Sequence, residues 1–262
     1  MEGVDEKTLV QQLTDLPLGE IHFFNELPST NRTAMEWITQ HPLEYSLFVA
    51  DHQTAGYGRN QRSWFASAGA SLSFSLILYP TRQELQALPL FSALAAVAVC
   101  TALETCFSTE KAQIKWPNDV LLDEKKCAGI LCESRWKGSI NEGLVMGIGI
   151  NIRSAAIPPA TDLLFPATCL EDALGVSVDG WKFLHVILEQ LLHYRGFFPS
   201  STFVQTWQNR LAFRGQVVTL TSNDGQQQGI MQGVDEQGFL VIKEKSGRLQ
   251  HFSLGDVSLR PV

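Results

Sequence analysis

The stretch that most narrows what this chain can become is residues 115–133, KWPNDVLLDEKKCAGILCE. It arranges two lysines, Lys115 and Lys126, a Trp-Pro corner and an amide–carboxylate pair, Asn118 and Asp119, around one short turn. Val120, Leu121 and Leu122 read as a brief strand, Asp123, Glu124 and Lys125 as the turn, and residues 128–131 as the start of the next strand. Lysines placed before and after a hairpin can converge on one negative ligand from two backbone segments. An exposed hairpin with solvated charges is the plainer reading of a DEKK turn. Neither a polar turn nor a buried strand, however, requires Trp-Pro-Asn-Asp beside it.

A chain of 262 residues can hold one large domain, or a large one and a small one. Its 45% hydrophobic and 18% charged residues are those of an ordinary globular protein. A formal net charge of -7 argues against broad attachment to nucleic acid or anionic membrane, and leaves room for a local basic pocket. The five cysteines form no C-x-x-C pair and are odd in number. That pattern suits reduced core thiols and a cytoplasmic location rather than a disulfide framework. Residues 1–10, MEGVDEKTLV, lack the basic-then-apolar pattern of a secretory signal. The most apolar run, residues 88–100, is short for a membrane span and reads as a buried helix.

Along the chain, residues 7–13 suggest a short helix and residues 21–24 a strand. Ser29-Thr30-Asn31 precedes a helical stretch through Gln40 with Ala34, Trp37 and Ile38 on one side. Such residues cap orphan amides at a helix start, and the same groups can hydrogen-bond a polar ligand. Residues 47–50 read as a buried strand leading into DHQTAGYGRNQRSW, residues 51–64. There Gly56 and Gly58 permit close approach of backbone to ligand, while Arg59 and Arg62 can neutralise a carboxylate or phosphate. Leu72, Phe74, Leu76 and Leu78 alternate with smaller or polar residues as in a sheet strand, and residues 84–107 read as a core helix with Pro89 in its first turns. Residues 142–150 form another strand ending near Asn151, either a turn residue or a ligand-facing one. Residues 153–166, with three prolines, are a loop. Residues 181–194 and 203–211 carry helical spacing. From Gly215 the pattern changes to short strands at 217–221, 229–234, 239–243 and 249–252, with turns at Asn223-Asp224-Gly225 and at 235–238. The expected division is residues 1–212 and a β-module of residues 213–262, too small to be stabilised generously without docking.

Familiar signatures are missing from the sequence. There is no Walker-type lysine motif, no dinucleotide fingerprint, no G-x-S-x-G elbow and no structural zinc spacing. Arg59, Arg62, Lys115 and Lys126 remain the most informative collection, because cations of this kind stabilise charge that develops during nucleotidyl transfer.

These motifs, taken in order, resemble those of the bacterial biotin protein ligases (biotin–acetyl-CoA-carboxylase ligases) over nearly the whole chain. Ser29-Thr30-Asn31 matches an S-T-N element, and residues 53–64 match a Q-x-A-G-R-G-R-x-G-R-x-W loop. Residues 115–119 match K-W-P-N-D, residues 126–131 match K-x-A-G-I-L, and residues 147–151 match G-x-G-I-N. Two positions depart from the pattern: Tyr57 stands for the first loop arginine and Gln61 for the third loop glycine. The resemblance implies an α+β fold, with a mixed, largely antiparallel sheet and helices followed by a small SH3-like β-barrel. It also implies a form without the amino-terminal DNA-binding domain.

For the site, the resemblance implies that Ser29, Thr30 and Gln53 bind the biotin ureido ring, with Asn31 supporting them. Gly56, Tyr57, Gly58 and Gly129 would line the biotin pocket, and Arg59 and Arg62, with Trp64, would order the loop around biotinyl-AMP and ATP. Lys126, Arg59 and Lys115 would be catalytic. Asn118 and Asn151 would lie by the adenylate, and Asp119 by Mg²⁺. The implied reaction joins biotin and ATP and passes biotin to a lysine of the biotin carboxyl carrier protein of acetyl-CoA carboxylase. A homodimer is compatible with it, whereas DNA and membrane partners are not expected. A lipoate or octanoate ligase and a non-enzymatic biotin-binding regulator are the alternatives. Biotin-dependent pyrophosphate release and labelling with each acid separate them.

Overall fold

The computed structural model describes residues 6–163, 165–222, 225–253 and 258–261. Seven strands form the main sheet: β1 Ile21–Leu27, β2 Leu47–Gln53, β3 Ser71–Leu78, β4 Ala112–Lys115, β5 Asp119–Leu122, β6 Lys125–Lys137 and β7 Ile140–Asn151. Their spatial order is β1-β2-β3-β7-β6-β5-β4. Only β1 and β2 run parallel; the remaining pairs are antiparallel. Six α-helices lie among the described residues: α1 Glu6–Gln12, α2 Thr30–Trp37, α3 Phe91–Phe107, α4 Leu170–Leu174, α5 Gly180–Arg195 and α6 Ser201–Asn209.

Strand alternation sorts the sheet into two unlike faces. Leu72, Phe74, Leu76, Met146, Ile148 and Ile150 point into the main core, where α3 packs against α5. Ile77, Val145 and Phe48 point the other way and hold α2 through Ala34, and the 3₁₀ turn that follows it through Ile38. All eight positions of β3 are buried, so the serines between its leucines face protein rather than water. Two helix starts are capped as their sequences suggest. Asp179 accepts from the Trp181 and Lys182 amides and Ser200 from the Phe203 amide, each cap worth roughly 1 kcal/mol.

Residues 84–107 do not form one continuous α-helix. A 3₁₀ segment, Glu84–Leu90, holds Pro89, and the α-helix begins at Phe91. A proline lacks the amide that an interior α-helical turn needs. By length and composition Glu84–Phe107 could cross a membrane, which exceeds the short run 88–100 marked by sequence. Most of α3 is nevertheless sealed in the core.

The carboxyl-terminal region is a five-stranded antiparallel sheet. Its strands are β8 Val217–Ser222, β9 Gly225–Val234, β10 Leu240–Lys243, β11 Leu249–Phe252 and β12 Ser258–Pro261, in the order β11-β10-β9-β8-β12. The turn at Asn223 and Asp224 lies outside the described residues. The expected docking is present. Trp116 Nε1 donates to the Gly238 carbonyl at 3.3 Å and Gln208 Nε2 to the Val234 carbonyl at 2.8 Å. Val218, Leu220, Leu240 and Leu259 belong to the main apolar core. Strands β4 and β12 and helix α4 go beyond the sequence reading; each is four or five residues long, too short for a periodic signal.

Candidate active site

One cavity of about 330 Å³ opens on the α2 face of the sheet. It gathers Ser29, Thr30, Asn31, Gln53, Tyr57, Gly58, Arg59, Arg62, Trp64, Lys115, Asn118, Asp119, Lys126 and Gly129 into one wall. Two of the expected residues stand outside it. Gly56 is buried within the loop, its carbonyl accepting from the Trp64 amide at 2.9 Å. Asn151 is buried at the end of β7, its Nδ2 donating to the Thr168 carbonyl at 3.1 Å.

The two lysines meet because the β5–β6 ladder contains a bulge. Val120 pairs with Ala128, but Leu121 pairs with Lys126, leaving Cys127 as the extra residue. Residues 126 and 129 differ by an odd number and would face opposite sides of a regular strand. The bulge re-aims the chain: Cys127 enters the core, while Lys126 and Gly129 share the cavity wall. Lys115, at the end of β4, pairs across to Asp119. Asp119 Oδ2 lies 3.1 Å from Lys115 Nζ, and its Oδ1 lies 2.6 Å from Lys126 Nζ. Burial alone would raise the Asp119 carboxyl, but the charges of Lys126 and Lys115 outweigh it and hold the group at about 2. Burial pushes the Lys115 ammonium below its ordinary range, against the pull of Asp119.

That geometry gives Asp119 a second set of partners besides the expected metal. Both oxygens of Asp119 are engaged by ammonium groups. Among the described residues no group of three or more His, Cys, Asp or Glu side chains could hold a metal ion. A Mg²⁺ bound here would take its remaining oxygen ligands from substrate phosphates and water. Asp119 also serves as counter-ion to two lysines that stand side by side.

The other end of the cavity is a hydrogen-bonded cluster. Gln53 Oε1 accepts from the Thr30 amide at 2.8 Å and lies 3.2 Å from the Thr30 hydroxyl. Ser75 Oγ lies 2.6 Å from Asn31 Oδ1 and 2.8 Å from Thr30 Oγ1. A carboxamide oxygen only accepts, so the Ser75 proton goes to Asn31, and the Thr30 hydroxyl is left to donate. Asn31 Nδ2 donates to the Leu131 carbonyl at 3.2 Å and to Glu133 Oε2 at 2.8 Å. Ser29 sits at the start of α2 but makes no side-chain cap, contrary to the capping alternative. Ser75 and Glu133 were not among the expected site residues. Their signals were a serine on the strand face opposite the leucines and a carboxylate inside an apolar strand.

The loop between β2 and β3 folds back as a small hairpin. Gly58 donates to the Arg62 carbonyl at 2.7 Å, and Tyr57 bridges to Ser63. Arg59 Nη1 approaches Asn118 Oδ1 at 3.4 Å, and Asn118 Nδ2 donates to the Ile130 carbonyl at 2.6 Å. Gln61, where the resemblance has glycine, adopts φ 56°. A non-glycine residue pays a steric cost there of about 1 kcal/mol, partly offset by the larger backbone entropy that glycine loses on folding. The exchange leaves the turn intact.

Trp64 closes the loop over two glycines, Gly129 of β6 and Gly149 of β7. A Cβ at Gly149 would lie 2.6 Å from its indole Cε2, and one at Gly129 3.0 Å from its Cζ3; one at Gly147 would strike the Asn31 carboxamide. Lys126 Nζ stands 5.5 Å from the indole centroid. Gly149→Ala is therefore expected to displace Trp64 and destabilise the protein by about 1–3 kcal/mol, read as a lower melting temperature.

The carboxyl-terminal module also reaches the site, a contribution the sequence reading did not include. Thr221 and Leu259 line the cavity. Arg260 lies 5.8 Å from the Phe165 ring, which Lys115 approaches from 5.0 Å. Burial, and then repulsion from Arg62, push the Arg260 guanidinium below its usual range.

A pocket with hydrogen-bonding groups at one end and a cluster of Lys and Arg at the other defines a protein that binds a small polar ligand beside an anion. Known proteins narrow that class. Residues 23–151 match the model of the Biotin/lipoate A/B protein ligase family, and residues 214–260 that of the Biotin protein ligase C terminal domain. The bifunctional ligase/repressor BirA of Bacillus spizizenii is 33% identical over 239 residues, covering 89% of this chain and 72% of that protein. The biotin–[acetyl-CoA-carboxylase] ligase of Paracoccus denitrificans is 32% identical, covering 76% and 85%. The structure of an Aquifex aeolicus biotin protein ligase in complex with biotin and ATP aligns with TM-score 0.79 at 28% identity, over 93% of this chain and 99% of that one. The chain belongs to the biotin protein ligase family.

Proposed function

We infer that this chain is an ATP-dependent biotin protein ligase. The biotin carboxylate attacks the α-phosphorus of ATP, giving biotinyl-5′-AMP and pyrophosphate. A lysine amine of the biotin carboxyl carrier domain of acetyl-CoA carboxylase then attacks the acyl carbon, loses a proton and releases AMP. The observation that carries the reading is the pair Lys115 and Lys126 on Asp119, in one cavity with Ser29, Thr30 and Gln53. The amide and hydroxyl end suits a ureido ring, and the cationic end suits a carboxylate meeting a phosphate. A folded loop over the cavity keeps water from the mixed anhydride. The family model spans biotin and lipoate ligases. Relatives named for biotin favour the first.

In this reading Lys126 contacts the reacting carboxylate and the acyl-phosphate oxygens, while Lys115 and Arg62 neutralise phosphate. Arg59, half-buried where the loop meets Asn118, clamps the intermediate. The division into residues 1–212 and 213–262 is part of the proposal, with Arg260 as the module's contribution to the anion end. The reading also carries a cytoplasmic location and no DNA or membrane partner; sedimentation with and without biotinyl-AMP tests homodimer formation.

Labelling of the carrier domain with biotin or lipoate, each with ATP, tests the substrate. Lipoate transfer without biotin transfer would reverse the assignment. Arg59→Ala is expected to release biotinyl-AMP about 10- to 150-fold faster, the value of a lost charge-assisted contact. The variant keeps some adenylate formation and labels proteins less selectively. Measured intermediate off-rates and off-target labelling check this. Retention equal to the parent would move the clamp to Arg62 or the Gly58 backbone.

A further inference from the structure

Tyr57 stands where the resemblance has arginine, and its hydroxyl donates to Glu133 Oε2 at 2.8 Å. The same oxygen accepts from Asn31 Nδ2 at 2.8 Å, and Asn31 is tied through Ser75 and Thr30 to Gln53. Gln53 and Tyr57 are four residues apart at the entry to the loop. The series Gln53–Thr30–Ser75–Asn31–Glu133–Tyr57, joined at Gln53 by the Thr30 backbone amide, therefore closes into a ring through the loop backbone. It ties β2, α2, β3 and β6 to the loop. Neither Glu133 nor Ser75 lies in the cavity wall, whereas Tyr57, Gln53, Thr30 and Asn31 do.

We propose that Tyr57 and Glu133 are positioning residues that latch the loop of residues 53–64 against the biotin end of the site before ligand arrives. The proposal rests on the biotin ligase reading and assigns a role to two residues that touch the ligand's neighbours rather than the reacting atoms. A backbone contact at the loop's first arginine position would fix that segment from one side only. Here the phenol adds an anchor on β6, the strand that also carries Lys126 and Gly129. Burial first, and then the bond to Glu133, push the Tyr57 phenol up to about 12. It stays protonated, and so a donor, throughout the neutral range. The guanidinium of Arg32 lies 5.8 Å from the centroid of its ring.

A latch that holds the loop closed with or without ligand lowers the cost of binding and must break before ligand leaves, while it adds little to the chemical step. Tyr57→Phe keeps the ring and deletes the donor. It is expected to raise the KM for biotin about 10-fold and to speed biotinyl-AMP release similarly, the value of one hydrogen bond to a charged acceptor. The kcat for adenylate formation stays within about twofold. Glu133→Ala should do at least as much, since it also takes the acceptor from Asn31 Nδ2, and the double variant should be no worse than Glu133→Ala, because the Tyr57–Glu133 contact is already lost in it. Glu133→Gln retains an accepting oxygen and should recover most of the parent KM.

Steady-state adenylation by pyrophosphate release, with single-turnover release of biotinyl-AMP and a melting curve for each variant, reads these quantities. An unchanged KM and release rate in Tyr57→Phe overturns the latch. So does additivity of the two single variants, or a fall in kcat at constant KM. If Glu133→Ala does not fold, Tyr57→Phe with Glu133→Gln decides the matter. Absence of biotin-dependent pyrophosphate release in the parent protein would instead contradict the ligase reading, which separates the two failures.

Discussion

Lys126→Ala is expected to slow acyl-adenylate formation by about 10²- to 10³-fold, the cost of removing one preorganised donor from developing negative charge. The side chain is placed for that role by the β-bulge at Cys127, not by ordinary strand alternation. Its ammonium sits 2.6 Å from Asp119 and over the Trp64 ring, so it is held in position before a carboxylate arrives. The loss should fall on kcat as well as kcat/KM, unlike the Arg59 variant, which chiefly loses retention. Lys115 remains beside Asp119 at 3.1 Å, so the variant keeps a local ion pair and should fold. Single-turnover formation of biotinyl-AMP, with melting as the control, measures the effect. A rate within tenfold of the parent would transfer the role to Lys115 or Arg62.

Asp119→Asn is expected to cost the fold more than any other single change at the site. It leaves two ammonium groups facing one carboxamide, with Lys115 only 6% exposed. Breaking a buried pair from one side destabilises by roughly 3 kcal/mol or more, which for a domain of this size lowers Tm by about 6–12 °C. An added polyanion such as pyrophosphate should restore the variant's melting temperature more than it raises the parent's, because it replaces the missing charge. The pH dependence has a defined sign. A carboxyl lowered from 3.8 to about 2 contributes stability above the unfolded value and loses it as pH falls through the folded one. The parent should therefore give up this contribution between about pH 4 and 2, and the Asn variant should not. Melting of both proteins across that range checks it; parallel curves would mean that the lysines do not depend on Asp119.

Much of this arrangement was legible in the chain because it rests on local pattern. Alternation at Leu72, Phe74, Leu76 and Leu78, the apolar run of 142–150, the charged turn at 123–125 and the helical spacing of 181–194 each fix an element within a few residues. Lys115, Lys126, Gln53 and the Ser29-Thr30-Asn31 group were found through motif order, and the structure brings them to one cavity. What escaped was set by tertiary contact. The bulge that turns Lys126 inward depends on one extra residue, which spacing alone does not reveal. Glu133 and Ser75 matter only because β6 and β3 place them around Asn31. The ion pairs of Asp119 with both lysines were likewise invisible in the sequence, because Lys126 meets it only across the bulged ladder. Arg260 lies more than a hundred residues from the lysines and reaches Phe165 only when the module docks.

Pyrophosphate release from ATP by the purified full chain, with Mg²⁺ and with or without biotin, bears most directly on the central claim. Release that requires biotin, followed by labelling of one carrier-domain lysine, is the result expected. Folded protein that binds biotin but releases no pyrophosphate would contradict it, and would make the lysine pair part of a binding pocket rather than of an adenylating site.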